Sequence, residues 1–342
     1  MFEAFDSILD EEGRLLVETV REFRHKRIDE IARKIDEDPQ ADEWKVSWHE
    51  AEEIGLLRAL LGEEKGGEGI SLPSLCHALC ELARSQAGFT AALLSNNISL
   101  LALSCAGCND EIKRALESKG ILAFVLDKEQ DIPVFSPGAS VSEFIVVLSF
   151  EDGKVGFLES NSGSIERSAG EPMGLRASRP AWIRVCDFAP SGKLGEEELA
   201  RVLSALLLGV ASIALGISIN AFEKAHSYAS QRYQGGDIII RHEQIRLMLA
   251  EMLCGIENVR ASISSASCVT EHHQMLTISR AAKVFACEHA VKCATDGVQI
   301  HGGYGYMRDY GMEVLMRDAK YLQVYPFTPS EELLTVPGLP EA

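Results

Sequence analysis

Two short runs hold the residue types that could do chemistry. One is Arg232-Tyr-Gln-Gly235-Gly236, followed by Ile240 and His242-Glu243-Gln244. The other is Gln299-Ile-His301-Gly302-Gly303-Tyr304-Gly305-Tyr306, ahead of Arg317-Asp318-Ala319-Lys320 and Tyr325-Pro326-Phe327-Thr328. A guanidinium is permanently charged and planar, and paired glycines let a backbone come close to whatever it faces. Each run also has a plain reading, with Arg232 as a surface ion pair and Gly302-Gly303 as a tight interhelix turn. Other chemistries have less behind them. His242, His272, His273 and His301 have no carboxylate arrangement nearby that suggests a metal. Cys105-Ala-Gly-Cys108 is a C-x-x-C without a second pair at zinc spacing, so it reads as small residues at a helix end. No G-x-G-x-x-G follows a strand, which excludes a Rossmann dinucleotide site.

The elements that must position these runs are mostly helices. Leu9, Leu15, Leu16, Val20 and Phe23 recur at helical spacing among charges. Ile54, Leu56, Leu57, Leu60 and Leu61 continue the helical reading up to Gly62, and a helix starts near Ser71-Leu-Pro73-Ser74 with proline in its first turn. Ala91–Cys105 is a further, largely apolar helix. From Ile121 the period shortens. Ile121–Leu126, Phe144–Phe150, Lys154–Leu158 and Trp182–Phe188 read as strands, with Asp152-Gly153 as a hairpin turn. Helical spacing returns over 196–231, 241–267, 273–300 and about 310–324, the pattern of an antiparallel bundle. The expected fold is mainly α with a small β domain: a helical domain over 1–120, β over 121–193, and a bundle over 194–342.

Composition narrows the function classes. A net charge of −18 disfavours nucleic acid and anionic lipid as partners. Nine cysteines, an odd number spread along the chain, do not suggest a disulfide framework. Met1–Asp6 lacks the basic and apolar segments of a signal peptide, and a reducing, cytoplasmic setting fits. Val202–Ile219 carries no charge over a length that could span a bilayer, but small polar residues interrupt it and no aromatic or basic anchors flank it. It reads as a buried bundle helix.

The same residues carry a resemblance. The run from Gln299 to Tyr325 resembles the C-terminal signature of acyl-CoA dehydrogenases, flavoenzymes that desaturate an acyl thioester between its α and β carbons. Arg232 to Met252 is similar to the family's "ERxxFG…HQxxxxxLAxM" helix, Met173–Ser178 to its "MGLRGS" segment, and Glu52–Gly69 to its "GLL…PEEYGGLG" segment. The resemblance spans nearly the whole chain. It implies FAD as cofactor, an acyl-CoA as substrate and often an electron-transfer flavoprotein as electron acceptor. It implies that Arg232 neutralises the cofactor's pyrophosphate, that Gly235 admits it, and that Gln299, Gly302 and Gly303 contact it across a dimer interface. Thr328 would stand on the flavin side.

The departures from the family concern the chemistry itself. Many members follow the tyrosine matching Tyr325 with the glutamate base that removes the α-proton, and here Pro326 stands there. The alternative position for that base, on the first bundle helix, falls at Leu206, beside Leu207 where the family usually has arginine. Glu331 and Glu332, five and six residues past the usual place, are the remaining candidates for a base. The β region lacks some twenty to thirty residues that embrace the flavin ring and acyl chain, and Glu243 replaces a glutamine. This pattern resembles the short partner subunits of heteromeric acyl-CoA dehydrogenases, such as those of bacterial steroid side-chain degradation, where a related full-length chain supplies the base. A homo-oligomeric enzyme with a relocated base, and a non-catalytic acyl-CoA-binding scaffold, are the rival expectations.

Overall fold

The computed structural model describes residues 9–128 and 132–334. The Met1–Asp6 run considered above for a signal peptide lies outside them, as do Glu129–Asp131 in the connection after Leu126.

Helix α1 (Glu11–Phe23) starts where the Asp10 carboxylate accepts from the Gly13 N–H at 2.7 Å. It runs through a π-helical turn, Arg24–Ile28, into α2 (Asp29–Glu37). Helix α3 (Asp42–Glu53) carries Trp44 and Trp48, stacked 5.0 Å apart in the core. The helical reading of 54–61 does not hold. Gly55 takes φ +77°, which ends α3, and a 3₁₀ turn at Leu56–Arg58 tucks the same leucines into the core. Helix α4 (Leu72–Ala83) begins as expected, capped by Ser71 with Pro73 in its first turn. Helix α5 (Ala87–Cys105) is buried around most of its circumference, and α6 (Asn109–Ser118) closes the helical region.

The middle region holds two sheets. β1 (Leu122–Asp127), β3 (Phe144–Ser149), β4 (Lys154–Glu159) and β7 (Gly192–Lys193) form one in the order β1-β3-β4-β7, and β2 (Val134–Ser136), β5 (Ile165–Ala169) and β6 (Ala181–Val185) form the other in the order β2-β6-β5. β1 and β3 run parallel, while β3 and β4 form a hairpin turned by Gly153 at φ +70°. Inward residues of both sheets, including Val125, Val147 and Ile183, make a small core of their own. The alternate residues of β1 join the main core beneath α5. There Ser95 Oγ accepts from the Phe124 N–H at 2.8 Å, and Asn96 Oδ1 from the Leu122 N–H at 3.0 Å. Polar side chains of α5 thus satisfy a strand edge that would otherwise be left open.

The bundle consists of α7 (Glu196–Gln231), α8 (Glu243–Ser267), α9 (His272–His301) and α10 (Met312–Val324), followed by the short α11 (Pro329–Leu334). α5 and α7 are long and apolar enough to cross a membrane, but both are packed inside the protein, and the apolar stretch of α7 is wholly buried. Close approach requires glycine. A Cβ on Gly216 would sit 2.5 Å from the Cys80 carbonyl of α4, and one on Gly174 would sit 2.1 Å from the Arg317 carbonyl of α10.

Gly174 belongs to a junction of all three regions. The Leu175 N–H donates to Asp318 Oδ1 at 2.6 Å, and Arg317 Nη1 donates to the Met173 carbonyl at 2.6 Å. Arg317 Nη2 reaches Asp36 of α2 at 2.8 Å, and its Nε reaches Glu313 at 2.5 Å. Burial, with Asp36 close by, pushes the Asp318 carboxyl up to about 7.

Candidate functional site

Helix α7 ends at Arg232, and the chain then forms a two-residue hairpin between β8 (Tyr233–Gln234) and β9 (Asp237–Ile238). Its turn residues, Gly235 and Gly236, have φ +64° and +92°. Positive φ at both central positions is what a turn matched to strand twist demands. His242 Nε2 braces the hairpin against the Gln234 carbonyl at 3.0 Å. Glu243 opens α8, where the positive end of the helix dipole favours a carboxylate, so the position matched to a glutamine has a structural use here.

Helix α9 ends beside this hairpin. Gly302 follows His301 with φ +59° and ψ −136°, a conformation left to glycine. A Cβ added at Gly236, Gly302 or Gly303 would meet nothing within 4 Å, so these glycines face open space. Gln299 is exposed on the same end of α9. The Arg232 guanidinium lies 5.6 Å from the centre of the Tyr304 ring, and Nη2 donates to Gln234 Oε1 at 3.3 Å. Its Nε is buried and has no hydrogen-bond partner among the described residues. Beneath them, Tyr228 stacks on His301 at 4.4 Å, and Tyr310 lies 5.2 Å from Tyr304. The His301 Nδ1 faces the Gly297 carbonyl at 2.7 Å, and burial pushes its pKa down. The two runs singled out in the sequence, far apart in the chain, therefore meet at one end of the bundle. The aromatic floor of Tyr228, Tyr304 and Tyr310 was not foreseen as part of it.

Thr328 lies elsewhere. It caps α11: its N–H donates to Glu331 Oε2 at 2.5 Å, and its Oγ1 accepts from the Glu331 N–H at 3.3 Å, a capping box. The other Glu331 oxygen pairs with Lys128 at 2.7 Å. Burial works against ionisation of Glu331, but Lys128 and the Thr328 bonds prevail and hold its carboxyl below the usual range. Glu332 is 2% exposed and faces Arg280 Nε at 3.4 Å. Burial pushes its carboxyl up, against the opposing pull of Lys283 and Arg280. Lys283 is fully buried in α9, donating to the Gln323 carbonyl at 3.3 Å and the Phe327 carbonyl at 2.5 Å. The segment around Pro326 is thus anchored from below by a lysine that sequence reading passed over. The signal was its place among the small apolar residues Ala282, Val284 and Ala286. Leu206 and Leu207 are wholly buried. Lys283 and His301 lie on one helix, which sets the Pro326 segment and the glycine clasp about 27 Å apart along α9, at about 1.5 Å per residue.

Two domain profiles match this chain: the acyl-CoA dehydrogenase N-terminal domain over residues 10–118, and the C-terminal domain over residues 202–326. The chain belongs to the acyl-CoA dehydrogenase family. It is 26% identical to cyclohexane-1-carbonyl-CoA dehydrogenase of Geobacter metallireducens over 92% of this chain and 93% of that one. It is also 26% identical to the short-chain-specific acyl-CoA dehydrogenase of Clostridium acetobutylicum, over 97% and 99%. The solved structure of butyryl-CoA dehydrogenase from Megasphaera elsdenii shares the fold, with a TM-score of 0.82 at 23% identity, covering 96% of this chain and 97% of that one. The expected order of helical domain, small β domain and helical bundle is the acyl-CoA dehydrogenase fold.

Members of the acyl-CoA dehydrogenase family are flavoproteins that use FAD. The clasp fits the phosphate end of such a cofactor, because the Arg232 Nε lacks an acceptor and the glycines at 236, 302 and 303 leave space in front of their backbone.

Proposed function

We propose that this chain is one half of an FAD-dependent acyl-CoA dehydrogenase, supplying the cofactor clasp while a related full-length chain supplies the base. The carrying observation is the separation along α9: the clasp at 232–236 and 299–304 lies at one end, and the position after Tyr325, held by a proline, lies far from it. Arg232 would hold the pyrophosphate, with Gly235, Gly302 and Gly303 admitting it and Gln299 offering amide hydrogen bonds. FAD, when bound, supplies the hydride acceptor for the β-carbon of an acyl-CoA. α-Proton removal needs a reachable base. Pro326 has no proton-accepting group, and Glu331 is occupied by its capping box and by Lys128.

A second reading keeps the chemistry within a homo-oligomer, with Glu332 as base. Its carboxyl, raised by burial, is the observation in its favour. Its pairing with Arg280 and near-complete burial weigh against it.

The visible spectrum after incubation with FAD and removal of unbound cofactor tests the proposal. The chain alone should come out colourless, and a mixture with its full-length partner should retain flavin and oxidise acyl-CoA. Flavin retention and turnover by the chain alone would replace the two-chain reading with the homo-oligomeric one.

A further inference from the structure

Bordering the clasp's aromatic floor at Tyr310, a cleft of about 350 Å³ opens on the seam where α2, the α4–α5 turn, the Arg176 loop, α7 and the start of α10 meet. That size suits a small metabolite. Its polar lining is incompletely paired. Lys224 of α7 makes one hydrogen bond there, to the Tyr310 carbonyl at 3.2 Å, and no ion pair among the described residues. Desolvation lowers its pKa, as expected for an ammonium drawn out of water without a counter-ion. Arg308 and Arg176 also line the cleft without an ion pair among the described residues, Arg176 using its Nε on the Pro172 carbonyl at 3.3 Å. On the α2 side, Asp36 is 3% exposed. Its Oδ2 meets Arg317, but its buried Oδ1 has no hydrogen-bond partner among the described residues. An orphaned buried carboxylate oxygen is costly and needs a donor.

Unpaired cations and an unserved acceptor in one cleft specify a complementary ligand. We propose that this cleft binds a small organic anion that also carries a hydroxyl, with Lys224, Arg308 and Arg176 meeting its phosphate or carboxylate and Asp36 Oδ1 accepting from its hydroxyl. Bound there, such a molecule would touch all three regions of the chain and stabilise their arrangement.

The test is calorimetric titration and thermal melting of the full chain with glycerol 3-phosphate and with malate, using inorganic phosphate and glycerol as controls. The two hydroxylated anions distinguish a phosphate from a carboxylate ligand. Saturable binding of at least one, tighter than inorganic phosphate and accompanied by a raised melting temperature, is the expected result. Lys224→Met should weaken it about tenfold or more, since a hydrogen bond to a charged group is worth roughly 1.5–3 kcal/mol. If that variant does not fold, Arg308→Gln and the charge-retaining Lys224→Arg replace it, the first weakening binding and the second largely restoring it. Absence of binding by both anions, or binding unchanged in Lys224→Met and Arg308→Gln, overturns the proposal. Equal affinity for inorganic phosphate, an adventitious ion only, overturns it too. Flavin retention in the two-chain mixture is a separate readout that none of these outcomes prejudges.

Discussion

Arg232 matters for the bond it does not make. Its guanidinium is flanked by Tyr304 and Gln234, yet its buried Nε has no acceptor among the described residues. Arg232→Ala should therefore lower flavin occupancy of the assembled enzyme by about tenfold or more, read from the flavin-to-protein absorbance ratio. Unchanged occupancy would remove it from the clasp. Glu331 has the opposite character, because both of its oxygens are engaged. Glu331→Gln keeps an acceptor for the Thr328 N–H and loses the Lys128 ion pair, so it should cost no more than about 1 kcal/mol of stability and leave turnover of the complex intact. Asp318 gives a pH signature. Its folded pKa of about 7 lies above the roughly 3.9 of an unfolded aspartate, so its stabilising contribution is full below the lower value and is lost as pH rises through the upper one. Asp318→Asn should flatten that fall, and melting curves across the interval would show it. At this scale the sequence was half legible. Thr328 and Glu331 spell a capping box locally, although they were read for flavin contact and for a base, whereas the Arg280–Glu332 pair and the Lys283 anchor join distant residues that no spacing rule connects.

Helices were the legible elements, because apolar residues at helical spacing have few other ways to share one core. The long apolar stretch of α7 and the proline-started α4 came through directly. The stretch 54–61 misled because its leucines are as buried as a helix would make them, while one glycine at positive φ breaks the chain direction. β5 stayed hidden since Glu166, Arg167 and Ser168 give it an exposed, polar course, and only pairing to β6 makes it a strand. Element packing also sets a prediction. Gly216→Ala drives a methyl against the Cys80 carbonyl of a neighbouring helix, which can yield only by moving backbone. A loss of about 1–3 kcal/mol in chemical denaturation is expected, as for other overpacked cores. A neutral result would mean that α4 and α7 sit further apart than described.

For the molecule as a whole, the family fold was readable, and whether a second chain shares the work was not. Motifs at 173–178, 232–252 and 299–325 are enough to imply the architecture. Whether a neighbour completes the site depends on distances across the bundle that a linear chain does not carry. If two chains share the work, size-exclusion chromatography of this chain with its full-length relative should give a single mixed species, and neither partner alone should match its acyl-CoA oxidation. Equal activity of the lone full-length chain would make this one dispensable.

The span of α9 between Lys283 and His301 has a genetic consequence. If two chains share a site in this way, the clasp and the base lie on separate chains and can be broken independently. A clasp-dead allele such as Arg232→Ala and a base-dead allele of the partner would damage different steps. Co-expression of each with intact copies of both chains should recover activity in proportions set by how often good halves meet, which is the arithmetic of complementation between two chains.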